Sequence, residues 1–146
     1  ACLVGSEMCI RDSPLTVQRF GELGVEVATA EATLDAAARA VDAATANAHQ
    51  HTRDGGRDDL PNGLESIAEA SIAVAVAKTV ADRAANNVSS ALFEVSGTRS
   101  AAGELALDRF WRNARTHTLH DPVRWKYQHI GRWVLRGERP PAHGVI

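Results

Sequence analysis

Aromatic side chains are scarce in this chain of 146 residues, where Phe, Trp and Tyr together make up 5% of the sequence. A core built mainly from large rings is therefore excluded. Alanine and valine supply the apolar residues, and Pro and Gly fall mainly between long uninterrupted runs. Small side chains at this density favour closely packed helices. We therefore expect an all-α protein with a single domain and one core.

Cysteine occurs only at Cys2 and Cys9, and the single methionine, Met8, lies between them. Translated back into DNA, residues 2–13 spell a transposase-based sequencing adaptor. We therefore expect residues 1–13 to be translated adaptor and the native sequence to begin at Pro14. The native part then lacks cysteine, which excludes disulfides and thiol nucleophiles and is compatible with a cytoplasmic protein.

Long hydrophobic segments are also absent, since no run of eighteen apolar residues occurs and the most apolar stretch, residues 72–80, contains Lys78. No membrane span is predicted. The net charge of −2 hides an uneven distribution. Residues 14–96 carry six basic and twelve acidic side chains, whereas residues 97–146 carry nine basic and four acidic ones. The C-terminal end is therefore the expected ligand-binding end.

Apolar spacing predicts two long helices, over residues 16–50 and 64–95. In the first, apolar residues recur at intervals of three, four or seven: Val17, Phe20, Val27, Leu34, Ala38, Val41 and Ala44. The second carries a core row that runs from Leu64 to Leu92. A polar segment with paired glycines separates the two helices.

Two shorter helices are predicted at residues 101–118, with Ser100 as N-cap, and at residues 122–136, with Asp121 as N-cap and Gly137 as the end. Tight turns between successive helices predict an up-and-down four-helix bundle. The alanine-rich faces would let the long pair approach closely.

The corner between the second and third helices is a candidate anion site. Ser96, Gly97 and Thr98 form a turn that leads into a helix N-terminus, where backbone amides can hold phosphate, and Arg99 would add positive charge. The alternative is a simple corner in which Gly97 caps the helix and Arg99 faces solvent.

The densest cluster of functional residue types is the block of residues 108–127, with four arginines, a lysine, two histidines and two tryptophans. Arg109, Arg112 and Arg115 fall on one helix face, which is either a phosphate-binding row or a solvated basic surface. Aromatic residues interleave with the basic ones, but not on one side of a helix, so no nucleic-acid surface is expected.

His120 directly precedes the Asp121–Pro122 helix start, near a positive helix end and unpaired amides. That position suits a proton donor or acceptor, and the alternative is a histidine that packs at a turn. His117 lies three residues earlier, a spacing that could bind a metal. Because only Asp121 offers a further ligand, no metal site is expected.

Three segments together resemble a known family: Phe93–Ser100, residues 107–127 with Arg-Asn-Ala-Arg-Thr and His-Asp-Pro, and residues 130–141. They are similar to the C-terminal domain of the acyl-CoA dehydrogenase superfamily, and most of all to its reduced-flavin-dependent monooxygenases of the sulfur-acquisition and dibenzothiophene type. The resemblance extends back through residues 19–22 and so covers nearly all of residues 14–146.

The resemblance implies a four-helix bundle that follows two further domains in a longer protein and assembles as a tetramer. It implies that Ser96, Gly97, Thr98 and Arg99 approach reduced FMN across a subunit boundary. It also implies that His120 lies near the reactive edge of the flavin, where it hydrogen-bonds or protonates the reacting oxygen. Its expected partners are a separate flavin reductase and a small organosulfur-type substrate, with no nucleic acid and no membrane.

Two alternatives stay open. The first is an acyl-CoA dehydrogenase that uses FAD, although the Tyr-Glu-Gly type motif that accompanies a catalytic carboxylate in such domains is not found in this sequence. The second is a helical oligomerisation module without activity of its own.

Overall fold

A computed structural model of the chain describes residues 13–53 and 60–141. Within these two ranges there is no strand, so the all-α prediction is confirmed. The predicted adaptor lies outside the described residues except for Ser13. The helices are α1 (Pro14–Arg53), α2 (Leu60–Ser96), α3 (Asp108–His120) and α4 (Val123–Arg136), with short 3₁₀ helices at Thr98–Ala101 and Gly103–Leu105.

The long helices α1 and α2 pack against each other in antiparallel fashion. Arg19 near the start of α1 binds Glu94 near the end of α2, and Asn87 donates a hydrogen bond to Glu26. Eight of the ten buried apolar residues in the described ranges are alanines. Small side chains let the two backbones approach closely, as the composition predicted.

The short helices α3 and α4 both run antiparallel to α2. His117 on α3 approaches Asp82, Tyr127 on α4 accepts a hydrogen bond from Arg83, and Arg139 just beyond α4 binds Glu65. The contacts of His117 and Tyr127 fall at the same level of α2, and the chain moves towards the start of α2 only after Tyr127. The expected helical bundle is confirmed, but α3 and α4 run in the same direction along α2, where the tight turns had predicted strict alternation.

The start of α3 differs from the prediction. Ala106 adopts a left-handed conformation with φ of 46°, and α3 begins only at Asp108. Ser100 is not an N-cap, because its hydroxyl donates to the carbonyl of Gly97 and its side chain is buried. Gly103, a poor helix former, lies in the segment where helix was expected.

The apolar residues predicted on α1 are mostly exposed. Leu23, Ala37 and Ala44 face α2, whereas Phe20 and Leu34 are 56% and 61% exposed. The spacing of three, four or seven residues predicted the helix correctly. It did not show which apolar residues face α2 and which face outward. In the described part of the chain, no helix is long and apolar enough to cross a membrane.

Candidate functional site

The predicted anion-binding corner lies where α2 ends. Ser96 is the last residue of α2, and Gly97 has φ of 70° with extended ψ, a conformation that a residue with a side chain rarely adopts. Ser96 to Arg99 are all exposed. Arg99 forms no hydrogen bond or ion pair with any residue in the described ranges.

The corner lacks the long helix N-terminus on which the prediction relied. A 3₁₀ helix of four residues follows Gly97, and the amide of Ser100 already donates to the Gly97 carbonyl. The helix dipole of a full α-helix is therefore not available here. What suits an anion at this corner is the unpaired Arg99 guanidinium and the open backbone at Gly97.

The three arginines of α3 have different surroundings. Arg112 donates to Asp108 over 2.6 Å in an exposed ion pair, and the Arg109 guanidinium lies 4.8 Å from the centre of the Phe110 ring. The Arg115 guanidinium has no partner within the described ranges, and only the Arg115 carbonyl accepts a side-chain hydrogen bond, from Thr118. The row is thus partly neutralised, and only Arg115 is uncommitted.

His117 is exposed on α3 but reaches a polar cluster on α2. Its Nε2 lies 3.8 Å from the Asp82 carboxylate, which binds Lys78 Nζ at 3.1 Å. The Asp82 side chain is only 6% exposed, and its second oxygen accepts no hydrogen bond from the described residues. Sequence reasoning missed this cluster because Asp82 and His117 are distant in the chain.

Asp121 was expected to cap α4, but the structure gives it another role. Pro122 occupies the N-cap position without a side-chain cap, and Asp121 binds Lys126 Nζ at 2.9 Å. Lys126 is 4% exposed, so its ammonium group depends on this carboxylate. The signal was present in the sequence, since a Lys five residues after an Asp-Pro start can fold back on it.

His120 is the last residue of α3, and its ring is exposed. It makes no hydrogen bond or ion pair within the described ranges. The adjacent Asp121–Lys126 pair fixes the chain that follows it. The backbone next to His120 is therefore held in place, and neither ring nitrogen of His120 has a partner in the described residues.

The structure does not bring His120 and the Ser96–Arg99 corner together within one chain. His117 lies at the level of Asp82, which is fourteen residues before Ser96 in the continuous helix α2. At a rise of about 1.5 Å per residue, the corner is about 20 Å from that level. His120, further along α3, is more distant still.

Two exposed groups near the start of α1 have shifted pKa values. Hydrogen bonds from Gln18 and then Arg19 lower the pKa of Glu22 below its ordinary value, and the bonds of Arg19 to Glu22 and Glu94 raise the pKa of Arg19. This cluster joins the start of α1 to the end of α2. Across the described residues, no group of three or more His, Cys, Asp or Glu side chains is placed to hold a metal.

Comparison with known proteins gives a consistent result. Residues 11–125 match the family described as acyl-CoA dehydrogenase, C-terminal domain. A Pseudomonas putida protein described as a probable FMNH2-dependent monooxygenase is 36% identical over 129 residues, which cover 88% of this chain and 30% of that protein. A dibenzothiophene monooxygenase of Rhodococcus erythropolis is 38% identical, with 88% and 28% coverage.

Solved structures agree with these sequence matches. Methanesulfinate monooxygenase from Pseudomonas fluorescens superposes with a TM-score of 0.78 at 33% identity, over 92% of this chain and 32% of that one. An FMN-bound monooxygenase from a Paenibacillus species gives a TM-score of 0.72 at 33% identity, over 90% and 30%. The chain thus spans about 30% of the length of the curated relatives it matches.

The resemblance drawn from the Arg-Asn-Ala-Arg-Thr and His-Asp-Pro segments is therefore confirmed. The match covers more than half of the chain and includes α1, α2 and α3. This chain belongs to the acyl-CoA dehydrogenase C-terminal domain family.

Proposed function

We propose that residues 14–146 are the C-terminal domain of a longer flavin-dependent monooxygenase that acts with reduced FMN and O2 on a small organosulfur-type substrate. The observation that carries this proposal is the agreement of curated relatives and solved structures on monooxygenases, at 33–38% identity, of which one is described as FMNH2-dependent and another is FMN-bound. The share of about 30% of those relatives supports a protein with further domains.

The residues of the Ser96–Arg99 corner fit a flavin that carries a phosphate. Arg99 offers an unpaired guanidinium, whose planar fork can bind two oxygens of one anion. Gly97 lets the backbone come close to a ligand, because no atom outside its chain neighbours lies within 4 Å of the position a Cβ would take. Ser96 and Thr98 add exposed hydroxyl groups beside it.

We assign His120 to the reacting end of the flavin. Bound reduced FMN supplies the electrons with which one oxygen atom of O2 is transferred to the substrate. His120 would donate a hydrogen bond or a proton there, since both of its ring nitrogens are free of partners in the described chain. The Asp121–Lys126 pair would act as a positioning contact for this end of α3.

The distance between His120 and the corner supports a site shared between copies of the chain. A separation of more than about 20 Å along α2 makes it difficult for one domain to contact one flavin with both groups. Corner and histidine would then come from different subunits of a homo-oligomer, which we propose to be a tetramer. A separate flavin reductase would supply reduced FMN, and the cysteine-free native part suits a cytoplasmic enzyme.

A chimera tests the proposal. Residues 14–146 would replace the matching segment of the Rhodococcus erythropolis dibenzothiophene monooxygenase, and oxygenated product would be measured against reduced FMN consumed. We expect the chimera to form product. His120→Asn should lower product per flavin by at least about tenfold while flavin oxidation continues, because proton transfer by a positioned side chain contributes 10²–10⁴-fold.

His117→Asn is the matched control, since it lies one turn earlier on α3 and is 66% exposed. It should leave product per flavin unchanged. An H120N chimera with undiminished product per flavin would contradict the assignment of His120. A chimera that oxidises an acyl-CoA with FAD would favour the dehydrogenase alternative instead.

A further inference from the structure

A polar depression of about 460 Å³ lies on the outer face of α4. Its lining contains no acidic residue and includes three arginines with two further polar side chains: Arg124, Arg132, Arg136, Tyr127 and Gln128. All five are exposed, whereas Lys126, on the opposite side of the helix, is buried. The depression therefore faces away from the bundle.

The arginines of this depression have few counter-ions. Within the described ranges, the guanidinium groups of Arg124 and Arg132 form no hydrogen bond or ion pair. Arg136 pairs with Glu138 at 3.2 Å, and both side chains of that pair are exposed. An exposed pair of this kind is weak, so the positive charge along the depression is largely uncompensated.

A fourth guanidinium lies at the edge of the depression. Arg83 of α2 donates a hydrogen bond to the Tyr127 hydroxyl over 3.0 Å, and Tyr127 lines the depression. The hydroxyl carries no charge, so Arg83 also has no counter-ion among the described residues. Four cationic groups thus surround one cavity, and in the described structure a carboxylate pairs with only one of them.

The charges of α4 are unfavourable for the helix itself. The helix has four basic residues and no acidic one, and Arg132 and Arg136 are one turn apart, where like charges destabilise a helix. Arg124 is the second residue of α4, at the positive end of the helix dipole, where an acidic residue would be favourable. Local helix stability therefore does not explain these arginines.

Gly131, in the interior of α4, leaves a notch in the lining of the depression. Glycine is a poor helix former, and no atom outside its neighbours lies within 4 Å of the position that a Cβ would take. Packing within the described chain therefore does not require glycine at this position. Side chains on a helix lean towards its N-terminus, so Arg132 and Arg136 lean back over the turn that contains the notch. A sequence that breaks local rules around one cavity indicates a functional constraint.

The residues around the notch select a compact ligand with several negative charges. A guanidinium binds two oxygens of one phosphate through its planar fork, and the Gln128 amide offers a further donor. The row from Arg124 to Arg136 is about 18 Å long, so two adjacent phosphates reach more of its donors than a single one does. The volume of the depression lies in the range of small-molecule sites, about 300–1,000 Å³.

We propose that the outer face of α4 binds a small molecule with a diphosphate group, which Arg132 and Arg136 hold over Gly131 while Arg83 and Arg124 border the site. The inference does not rest on the proposed flavin function, because the site includes neither the Ser96–Arg99 corner nor His120. Its test uses no flavin and no turnover, so its failure would leave the flavin assignment standing.

The test is calorimetric titration of the 146-residue chain with inorganic pyrophosphate. We expect a single site with a Kd of about 100 μM or lower at about 0.1 M salt. Arg132→Gln should weaken binding at least about tenfold, because it removes a charge-assisted fork. Gly131→Leu should weaken binding by about the same factor, because it fills the notch and leaves every charge in place. Helix content by circular dichroism should stay unchanged, since Arg132 is exposed and a side chain at residue 131 meets open space.

Arg39→Gln is the matched control, because Arg39 is an exposed arginine of α1 and its loss removes the same charge. Arg99→Gln separates this site from the corner at the end of α2. That corner is about 20 Å along α2 from the level of Arg83, beyond the screening length of about 10 Å. Each of these two variants should change the Kd for pyrophosphate less than about threefold.

A titration with ADP distinguishes two sources of the diphosphate. Tighter binding of ADP than of pyrophosphate would support a nucleotide, and equal binding would support the diphosphate group alone. A chain that does not bind pyrophosphate, a G131L variant that binds like the unaltered protein, or an R39Q variant as weak as R132Q would overturn the proposal. It would also be overturned if a short DNA duplex bound more tightly than pyrophosphate and depended on Arg132, since the face would then recognise nucleic acid.

Discussion

The long pair α1–α2 and the short pair α3–α4 pack in different ways. The two long helices contact each other mainly through alanines, and their shared interior consists almost entirely of small side chains. The short pair uses large and charged side chains, and neither α3 nor α4 buries an apolar residue in the described structure. The one buried residue of the short pair is Lys126. The long pair is thus a rigid support, and the short pair is held to it by a few polar contacts.

This difference explains where the candidate functional groups lie. The buried alanines tolerate little change, since protein interiors are close-packed and even one added methylene disturbs the packing. Exposed arginines and histidines on a short helix can meet a ligand without disturbing that interior. His120, Arg99 and Arg115 all occur outside the alanine seam, at helix ends or on exposed faces.

The largest expected effect comes from breaking the alanine seam. Ala75 is 1% exposed, and Ala75→Leu should lower the free energy of unfolding by about 3 kcal/mol, because overpacking a tight core costs about 1–3 kcal/mol. Urea denaturation measures the change. Ala46→Leu, at an exposed position of α1, should change it by less than about 0.5 kcal/mol. Equal effects at the two positions would refute the rigid-support description.

A smaller effect is expected at the polar contact that holds the short pair. Asp121→Ala leaves the buried Lys126 ammonium unpaired and should cost about 2 kcal/mol of unfolding free energy, less than a fully buried pair because Asp121 is 36% exposed. Asp108→Ala removes an exposed pair with Arg112 and should cost less than about 1 kcal/mol. If D121A were no more destabilising than D108A, the Asp121–Lys126 pair would not hold α4.

The smallest effect concerns the Glu22 cluster at the junction of α1 and α2. Because its hydrogen bonds lower the pKa of Glu22 in the folded protein, the ionised carboxylate stabilises the fold above the ordinary pKa of 4.5, and this is lost as pH falls through the lowered value. Glu22→Gln should therefore lower the urea midpoint slightly at pH 7. At pH 2 the variant and the unaltered protein should agree. A difference between the variant and the unaltered protein that grows as the pH falls would contradict a stabilising role for the ionised Glu22.

Sequence reasoning located the helices more reliably than their faces. The predicted segments 16–50 and 64–95 fall within α1 and α2, since spacing of three, four and seven residues specifies a helix whatever covers it. The predicted start of α3 was seven residues early, because Ala-rich sequence gives no warning that Ala106 turns left-handed. Local propensity also could not show that Ser100 would be buried.

The candidate site was predictable in part. His120 and the corner at Ser96–Arg99 could be singled out from residue types and motifs, and both are exposed in the structure. Their separation along α2 could not be predicted, because it depends on the level at which α3 packs. Asp82 and His117 meet for the same reason, although 35 residues separate them in the chain.

By itself the sequence determined that the chain is helical, that it belongs to its family and which charged residues stand near the C-terminal end, since these follow from periodicity, composition and local motifs. The tertiary structure decided which of two apolar rows on α1 faces α2. Both rows satisfy the same helical spacing, and only close packing of alanines selects one of them. The row left outside, from Phe20 to Val41, stays exposed in the described part of the chain.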